Sequence, residues 1–366
     1  MSAPALGTPQ GGRVMLDGAE TIMLGSNDYL GLAGHPEVIE AAIAALRRYG
    51  AGTAINPPFA TTPLHEELAE RLARFTGTEA ALLFGSASAA NAGVLATLVG
   101  PGDAIFSDRL NHASIVDGCR LSRAETVLYA SRDARSLEEA MARTKAERHL
   151  VISDGVFSME GDVAPLPELL AVAERASAML VIDECHAAGV IGPRGRGTPE
   201  HFGIDPRRLV VTGTLSKAIG GAGGGYVAGP REVVAALRAR SRAFIFTSAI
   251  SPADAGAALA ALQLIEGDRG PIDRLYRNTE RFRAGLGKLG LRHHRGVSPI
   301  TAILIGEEDA ARSTSAALLL AGVYIPAMTY PIVARGEARL RAQPSAALSE
   351  DDIDIALARL GEVTAR

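Results

Sequence analysis

A single lysine, Lys217, lies between a run of small hydroxylated residues and a run of glycines. The apolar run Leu209–Val211 predicts a strand end, so the residues that follow should emerge from a sheet onto a loop, where α/β proteins bind ligands. The hydroxyls of Thr212, Thr214 and Ser216 can bind a phosphate. A lysine amine beside a phosphate site suits Schiff-base formation with a phosphorylated aldehyde. We therefore predict that Lys217 is catalytic; the alternative interpretation is a surface lysine in a turn.

Pyridoxal phosphate is such an aldehyde, and its chemistry demands a carboxylate that keeps the pyridine nitrogen protonated. Asp183 directly follows the apolar run Met179–Ile182, at the position where a buried strand delivers a side chain into a ligand crevice. The alternative is that Asp183 caps the next turn. Three residues further on, His186 could donate to the phenolic oxygen of the cofactor, although a lone histidine is more often structural.

Three other segments place polar residues after predicted strands. The first, Gly85–Asn91, follows an apolar strand and predicts a helix N-terminus, where free N–H groups favour a phosphate. Small residues at a strand-to-helix turn are common, so this pattern alone is weak. The segments Phe106–Ser114 and Asp154–Asp162 contribute His112, which could stack on a planar ring, and Ser158, which could bind the phenolic oxygen.

Strand and helix patterns alternate along most of the chain, which predicts crossover units and a mostly parallel sheet with helices on both faces, an α/β fold. The first helices begin at Pro36 and Pro63. Strands are predicted at 79–84, 104–107, 126–129, 149–153, 179–183 and 209–212, with helices at 88–98, 113–122, 137–145 and 166–176. After Pro252 the pattern changes to long helices at 253–266 and 271–289 and short strands at 301–305 and 339–342. We predict an N-terminal segment (1–45), a large domain (46–252) and a smaller α+β C-terminal domain (253–366).

The composition is that of an ordinary globular protein. Of 366 residues, 47% are apolar and 21% charged, and the net charge of −4 provides no basic face for nucleic acid. The first seven residues lack a leader pattern and no apolar run reaches membrane-spanning length, so we expect no membrane partner. Cys119 and Cys185 show no paired spacing, which predicts no disulfide, no zinc site and a cytoplasmic location. His293 and His294 are interpreted as surface residues rather than metal ligands.

Taken together, these residues resemble the α-oxoamine synthases, a group of fold-type I pyridoxal-phosphate enzymes with the aminotransferase class I/II fold. The group includes 8-amino-7-oxononanoate synthase, 2-amino-3-ketobutyrate CoA ligase, 5-aminolevulinate synthase and serine palmitoyltransferase. Six stretches match in family order and cover nearly the whole chain. They are Ser26–Leu32, Asn111–Ser114, Val156–Met159, Asp183–His186, Thr212–Lys217 and Phe244–Thr247.

The resemblance implies roles for residues around the cofactor ring. Lys217 would form the Schiff base, Asp183 would pair with the pyridine nitrogen and His112 would stack on the ring. Ser158 and His186 would lie at the phenolic oxygen. Around the phosphate, the resemblance implies a further set of residues: Ser86, Ala87, Ser88 and Thr214, with Thr247 and Ser248 reaching the phosphate of a partner subunit in a homodimer whose active sites lie at the interface.

The resemblance also implies a substrate site. Asn27 would bind the substrate, and a segment beginning at Tyr330 resembles the one whose arginine binds the amino-acid carboxylate. We predict Arg341 rather than Arg339 as that arginine, because the last arginine of the run fits better. A guanidinium gives bidentate carboxylate recognition that lysine cannot reproduce.

The implied activity is acyl transfer. An amino acid would condense with an acyl thioester to give an α-amino ketone, with loss of carbon dioxide or simple reprotonation. Two alternatives stay open: other fold-type I chemistry on an amino acid, such as transamination or retro-aldol cleavage, and a non-catalytic dimer that serves as a scaffold.

The chain departs from the family at the loop from Thr53 to Thr61, which contains two prolines and lacks the usual arginine. At the phosphate turn, Ala87 replaces a glycine and Ser88 a common aromatic residue. These changes leave the predicted cofactor set intact. They make an unusual amino acid, or an acyl group on a carrier protein rather than on coenzyme A, a plausible substrate.

Overall fold

A computed structural model describes residues 3–365. Its strands are β1 Arg13–Leu16, β2 Ala19–Met23, β3 Ala80–Phe84, β4 Ala104–Asp108, β5 Glu125–Tyr129, β6 His149–Asp154, β7 Met179–Asp183, β8 Val210–Thr214, β9 Gly225–Gly229, β10 Thr301–Gly306, β11 Val323–Tyr324, β12 Ala327–Met328 and β13 Ala338–Ala342. Its helices are α1 Pro36–Tyr49, α2 Pro63–Thr76, α3 Ala87–Leu98, α4 Ala113–Ser122, α5 Ala134–Arg143, α6 Leu166–Arg175, α7 Thr198–Phe202, α8 Arg231–Arg240, α9 Arg242–Ile245, α10 Pro252–Gly267, α11 Gly270–Lys288, α12 Glu308–Leu320 and α13 Glu350–Thr364, with a 3-10 turn at Pro206–Arg208.

The chain folds into two units. The first comprises the chain up to His35, Ser158–Asp162 and the chain from Gly267 onward; the second comprises Pro36–Phe157 and Val163–Glu266. These limits differ from the domain limits expected from the sequence, which fall after residues 45 and 252. The difference arises because α1 and α10 pack in the second unit, where Gly256 lies against the backbone of Ala41.

The second unit is built around a seven-stranded sheet with the strand order β3-β9-β8-β7-β6-β4-β5. The five strands from β8 to β5 are mutually parallel, and β9 runs antiparallel to both of its neighbours, β8 and β3. All strands except β9 therefore end at the same edge of the sheet. The predicted α/β fold with a mostly parallel sheet is confirmed.

Local sequence explains several helix limits in this unit. Thr62 caps α2 by accepting a hydrogen bond from the His65 N–H, and Gly77 ends the helix in the left-handed region with φ 74°. Ser86 caps α3 in the same way, accepting from the Ala89 N–H at 3.1 Å. Apolar residues of α3 and of the sheet strands, such as Val94 and Ile152, form the buried core.

The first unit contains two three-stranded sheets, ordered β1-β2-β11 and β10-β13-β12. Its core combines strand residues with apolar residues of α11 and α13, among them Phe282 and Leu360. Strands β1 and β2 form an antiparallel hairpin around Asp17, and the predicted strands near Thr301 and Arg339 are present.

His293 and His294 are half-buried rather than exposed surface residues. His293 pairs with Ile303 in an isolated β-bridge, and the His294 N–H donates to the Ala302 carbonyl oxygen. No helix within residues 3–365 combines the length and the apolar character needed to cross a membrane.

Candidate active site

Polar residues from four strand ends gather at one edge of the seven-stranded sheet. Asp183 ends β7, Asp154 ends β6 and pairs with Asp183 in register, and His112 lies in the turn after β4. Lys217 follows β8 by three residues. This is the edge at which open α/β sheets bind ligands, and the second unit brings the predicted residues Lys217, Asp183 and His112 together there.

Lys217 lies beside His186. Its Nζ is 2.8 Å from His186 Nε2, and the histidine is 8% exposed while Lys217 is half-buried. When the amine is charged it can only donate, so His186 Nε2 then accepts. The lysine is thus held in a partly enclosed site with a proton-accepting neighbour, which argues against a surface lysine in a turn.

Asp183 is buried and its carboxylate is satisfied on both oxygens. Oδ2 accepts from Asn91 Nδ2 at 2.7 Å, and Oδ1 accepts from the backbone N–H of Cys185 at 2.9 Å. The bond to Cys185 is the turn-capping contact of the alternative interpretation, and it occupies only one of the two oxygens. A buried carboxylate needs such donors to offset its loss of hydration.

His112 caps α4 through its ring. The backbone N–H of Ser114 donates to His112 Nδ1 at 3.2 Å, and Ser114 Oγ lies 2.8 Å from the same atom. Because a backbone N–H can only donate, Nδ1 is unprotonated and the ring proton is on Nε2. Burial lowers the pKa of His112; the charge of Lys217 lowers it further and that of Asp183 opposes the shift. The ring is therefore neutral, which suits stacking on a flat aromatic group.

The turn after β3 and the hydroxyls after β8 flank the same glycine of β9. Gly225 pairs with Phe84 on one side and with Thr214 on the other. A Cβ at Gly225 would lie 2.4 Å from the N atom of Ala87, so only glycine allows this approach. The α3 N-terminus and the Thr214 hydroxyl, 2.8 Å from Ser216 Oγ, thus border one cradle. These residues fit a phosphate group.

Thr247 and Ser248 line a small cavity of about 50 Å³ in the second unit, together with Gly85 and His65. His65 fixes this segment to the start of α2, since its ring nitrogens contact Thr62 Oγ1 at 2.6 Å and the carbonyl oxygen of Ile250 at 2.9 Å. The expected contact of Thr247 and Ser248 with a partner's phosphate stays a prediction.

Asn27, Ser158 and Arg341 belong to the first unit. Arg341 is 7% exposed, its Nη2 lies 3.5 Å from Asn27 Oδ1, and its Nε has no hydrogen-bond partner among residues 3–365. Burial lowers the pKa of this guanidinium. Arg339, by contrast, is ion-paired with Glu160 at 2.9 Å and with Glu337 at 3.2 Å. Arg341 is therefore the arginine with donor capacity to spare.

A second acid, Glu184, lies beside Asp183 and was missed by sequence reasoning. It is 1% exposed and accepts hydrogen bonds from the backbone N–H and the hydroxyl of Thr198. Gly155 and Gly197 leave no room for a Cβ against its carboxyl group. Burial raises the pKa of Glu184 to about 7, and the charge of Asp183 adds to the shift. Its signal in the sequence was an acid directly after the end of a buried strand.

The other residue that sequence reasoning missed is Asn91, which donates to Asp183. Its signal was the single amide side chain in helix α3, which carries no charged residue. No cluster of histidine, cysteine or acidic side chains within residues 3–365 is arranged to hold a metal ion.

Comparison with known proteins places the chain in a family. The model of the aminotransferase class I and II family matches residues 19–360. A protein named 8-amino-7-oxononanoate synthase from Symbiobacterium thermophilum is 44% identical over 98% of this chain and 92% of its own length. Another of that name, from Anaeromyxobacter dehalogenans, is 46% identical over 99% of this chain and 91% of its own length.

Among solved structures, serine palmitoyltransferase from S. paucimobilis with a bound pyridoxal phosphate–myriocin aldimine superposes with a TM-score of 0.95. It is 31% identical and the match covers 99% of this chain and 92% of that one. Fold and site together define a pyridoxal-phosphate enzyme of fold type I. The chain belongs to the aminotransferase class I and II family and, within it, to the α-oxoamine synthases, acyltransferases that form α-amino ketones.

Proposed function

We propose that this α-oxoamine synthase condenses alanine with a pimeloyl thioester, releasing carbon dioxide and the free thiol, to form 8-amino-7-oxononanoate. The relatives are named for the product 8-amino-7-oxononanoate, and this molecule consists of two chemical parts. The ketone carbon and the chain up to the distal carboxylate correspond to a pimeloyl group. The amino-bearing carbon with its methyl group corresponds to alanine without its carboxylate.

The observation that carries the proposal is the placement of Lys217, His186, Asp183 and His112 at one sheet edge, in a chain 44% identical to such a synthase over 98% of its length. When bound, pyridoxal phosphate supplies an electron-poor ring that takes up the electron pair left at the substrate Cα. Lys217 would hold the cofactor covalently, and Asp183 would keep its ring nitrogen protonated. His112 would stack on the ring.

When its amine is free, Lys217 would accept the Cα proton at Nζ. His186 Nε2, 2.8 Å from that atom, is placed to share this proton. His186 and Ser158 would also bind the phenolic oxygen of the cofactor. The phosphate would lie against Ser86, Ala87 and Ser88 at the N-terminus of α3 and against Thr214, where backbone N–H groups and the helix dipole favour an anion.

Arg341 would bind the carboxylate of alanine, with Asn27 beside it. Arg341 Nε has no hydrogen-bond partner among the described residues and Nη2 makes only a weak contact with Asn27, which leaves donors for a carboxylate. The adjacent Arg339 already satisfies two glutamates. This contrast supports the choice of Arg341.

The proposal includes a homodimer in which Thr247 and Ser248 bind the partner's phosphate, and an acyl donor that is either the coenzyme A ester or an acyl-carrier protein. It also includes a cytoplasmic location, since Cys119 and Cys185 are both free and buried, as in a reducing compartment. Cell fractionation tests the location; recovery of the protein outside the cytoplasmic fraction contradicts it.

The covalent attachment can be tested with little ambiguity, because the chain has only three lysines, Lys145, Lys217 and Lys288. Borohydride reduction of the cofactor-loaded enzyme followed by peptide mass analysis should place the pyridoxyl group on Lys217. Lys217→Ala should lose the visible absorbance of the bound cofactor, whereas the controls Lys145→Ala and Lys288→Ala should keep it. An unchanged spectrum in Lys217→Ala contradicts the assignment.

The activity is tested with alanine, glycine and serine against pimeloyl-coenzyme A and a pimeloyl-carrier protein. We expect thiol release that depends on alanine, and a product with the mass of 8-amino-7-oxononanoate. Thiol release with a different amino acid would contradict the substrate but keep the reaction class. Keto-acid formation without thiol release from any thioester would indicate transamination instead.

A further inference from the structure

Asn91 is a fully buried amide at the centre of a hydrogen-bond network in the second unit. Its Nδ2 donates to Asp183 Oδ2 at 2.7 Å and to Ser114 Oγ at 2.9 Å. Its Oδ1 accepts from Thr212 Oγ1 at 2.7 Å. All three partners lie far from Asn91 in the sequence, so only the packing of α3 against the sheet and against α4 brings them together.

The network has one consistent direction. A carboxylate only accepts, so the amide nitrogen of Asn91 must face Asp183 and its oxygen must face Thr212. Ser114 Oγ accepts a hydrogen bond from Asn91 Nδ2, which leaves its own hydroxyl proton to donate to His112 Nδ1, 2.8 Å away. The chain of bonds therefore runs from Thr212 through Asn91 to Asp183 on one branch and to His112 on the other.

We propose that Asn91 is a positioning residue that orients the Asp183 carboxylate and, through Ser114, the His112 ring, so that both groups are held in place around the cofactor. The inference rests on the proposed roles of Asp183 and His112. In this role Asn91, a residue of helix α3, would contact neither substrate nor cofactor. It would instead fix Asp183 and His112, the two groups that contact the cofactor ring.

The physical reason is the cost of a buried, unpaired carboxylate oxygen. Without Asn91, Asp183 Oδ2 loses its 2.7 Å donor and the carboxylate keeps only the Cys185 N–H on its other oxygen. The Asp183 carboxylate can then rotate, or its Oδ2 lacks a hydrogen-bond donor. In either case the carboxylate binds the protonated ring nitrogen less well. The Ser114 hydroxyl also loses the donor that directs its proton toward His112.

The main test compares Asn91→Leu with Asp183→Asn. The readouts are the dissociation constant for pyridoxal phosphate and the pH midpoint of the absorbance of the bound cofactor. We expect Asn91→Leu to weaken cofactor binding by about 10- to 100-fold, the range for loss of a hydrogen bond to a buried charge. Its pH midpoint should shift in the same direction as in Asp183→Asn and by a smaller amount.

Asn278→Leu is the matched control, since Asn278 is also a buried amide that donates two bonds at 2.9 Å, but to backbone carbonyls in the first unit. Asn278→Leu should lower the stability of the apo protein about as much as Asn91→Leu does. It should not move the pH midpoint of the cofactor absorbance. If Asn91→Leu does not fold, Thr212→Val and Thr212→Ser give the same test. The valine removes the hydroxyl that fixes the Asn91 amide and should shift the midpoint, and the serine keeps it and should not.

The outcomes separate the two proposals. If Asp183→Asn itself changes neither cofactor affinity nor the midpoint, the proposed role of Asp183 is wrong. If Asp183→Asn has its effect but Asn91→Leu and Thr212→Val leave the midpoint in place, the role of Asn91 is wrong and that of Asp183 stands. A midpoint shift of equal size in Asn278→Leu would also overturn the inference, because the effect would then be a general loss of structure.

Discussion

At the scale of single residues, the site combines two acids that occupy successive positions and differ in their surroundings. Asp183 has an amide and a backbone N–H as donors, whereas Glu184 is enclosed by glycines and by Thr198. Burial raises the pKa of Glu184 to about 7, so this acid takes up a proton near neutral pH. When Glu184 is protonated, it places no negative charge beside the Asp183 carboxylate.

Glu184→Gln should therefore change how stability depends on pH. The folded-state pKa of Glu184 is raised from 4.5 to about 7, so its favourable contribution is fully present below about pH 4.5 and is lost as the pH rises through 7. Glutamine mimics the protonated acid and should remove this loss. Between pH 5 and 8, the free energy of unfolding of the wild type should fall by about 2–3 kcal/mol relative to Glu184→Gln.

Urea unfolding of the apo protein at several pH values measures this difference. Asp154, whose pKa is also raised by burial, is present in both proteins, so the comparison isolates the effect of Glu184. The exposed Glu232, on α8, provides the control Glu232→Gln, which should follow the wild type. Parallel pH profiles for wild type and Glu184→Gln would show that Glu184 stays ionised.

Arg341→Lys tests the proposed carboxylate site. Lysine keeps the charge but cannot form two parallel hydrogen bonds, so the KM for the amino acid should rise by about 10-fold or more while kcat changes less. Arg339→Lys is the control, since the Arg339 guanidinium is already taken by two glutamates. Steady-state kinetics with varied amino acid measures both. A larger KM effect in Arg339→Lys would reverse the assignment.

At the scale of elements, β9 determines where the phosphate cradle lies. It is inserted antiparallel between β3 and β8, and its first residue, Gly225, lies between Phe84 and Thr214. The turn that starts α3 and the end of β8 are far apart in the sequence. They meet only because this strand joins them, and because glycine lets the two backbones approach.

Gly225→Ala should disturb the cradle. The new Cβ would lie 2.4 Å from a backbone nitrogen of the turn, so the turn must shift. We expect a loss of about 1–3 kcal/mol in stability and at least about 10-fold weaker pyridoxal phosphate binding. Gly229→Ala, on the same strand, is the control, because its nearest contact would be the Leu209 carbonyl oxygen at 3.1 Å. Fluorescence titration of the apo variants measures the affinity, and equal affinities would contradict this account.

At the scale of the whole molecule, the second unit exposes large apolar side chains on two neighbouring loops. Phe59 is 76% exposed and Phe246 is 67% exposed, and Asn56 Nδ2 joins their loops by donating to the Ile245 carbonyl oxygen at 2.8 Å. Phe246 directly precedes Thr247, which is proposed to serve the partner's phosphate. In the proposed homodimer, a second copy of the chain would cover these rings.

Phe246→Asp should therefore weaken both dimerisation and cofactor binding. A buried charge in the proposed interface should raise the dimer dissociation constant by at least about 10-fold. Sedimentation velocity over a range of protein concentrations measures it. Leu320→Asp is the control, since Leu320 is 91% exposed in the first unit and should leave the dimer intact. An unchanged dimer in Phe246→Asp would place the interface elsewhere.

The sequence by itself determined the alternation of strands and helices and the positions of Asp183 and Lys217 at strand ends. These features rest on local patterns: apolar runs, Pro and Gly at helix limits, and polar residues just after strands. Helix α13 also has a local signal at its start, the capping box of Ser349 and Asp352. The match of α1 to Pro36–Tyr49 follows from such signals.

Tertiary structure alone decided the insertion of β9 between β3 and β8, the enclosure of Glu184, and the network of Asn91 with Asp183, Ser114 and Thr212. The physical reason is that a buried polar group must find its partners wherever the packing brings them, and residues distant in sequence supply them here. The chemistry at Lys217 could thus be predicted from its own surroundings in the chain. The groups that hold its neighbours in place became visible only in the fold.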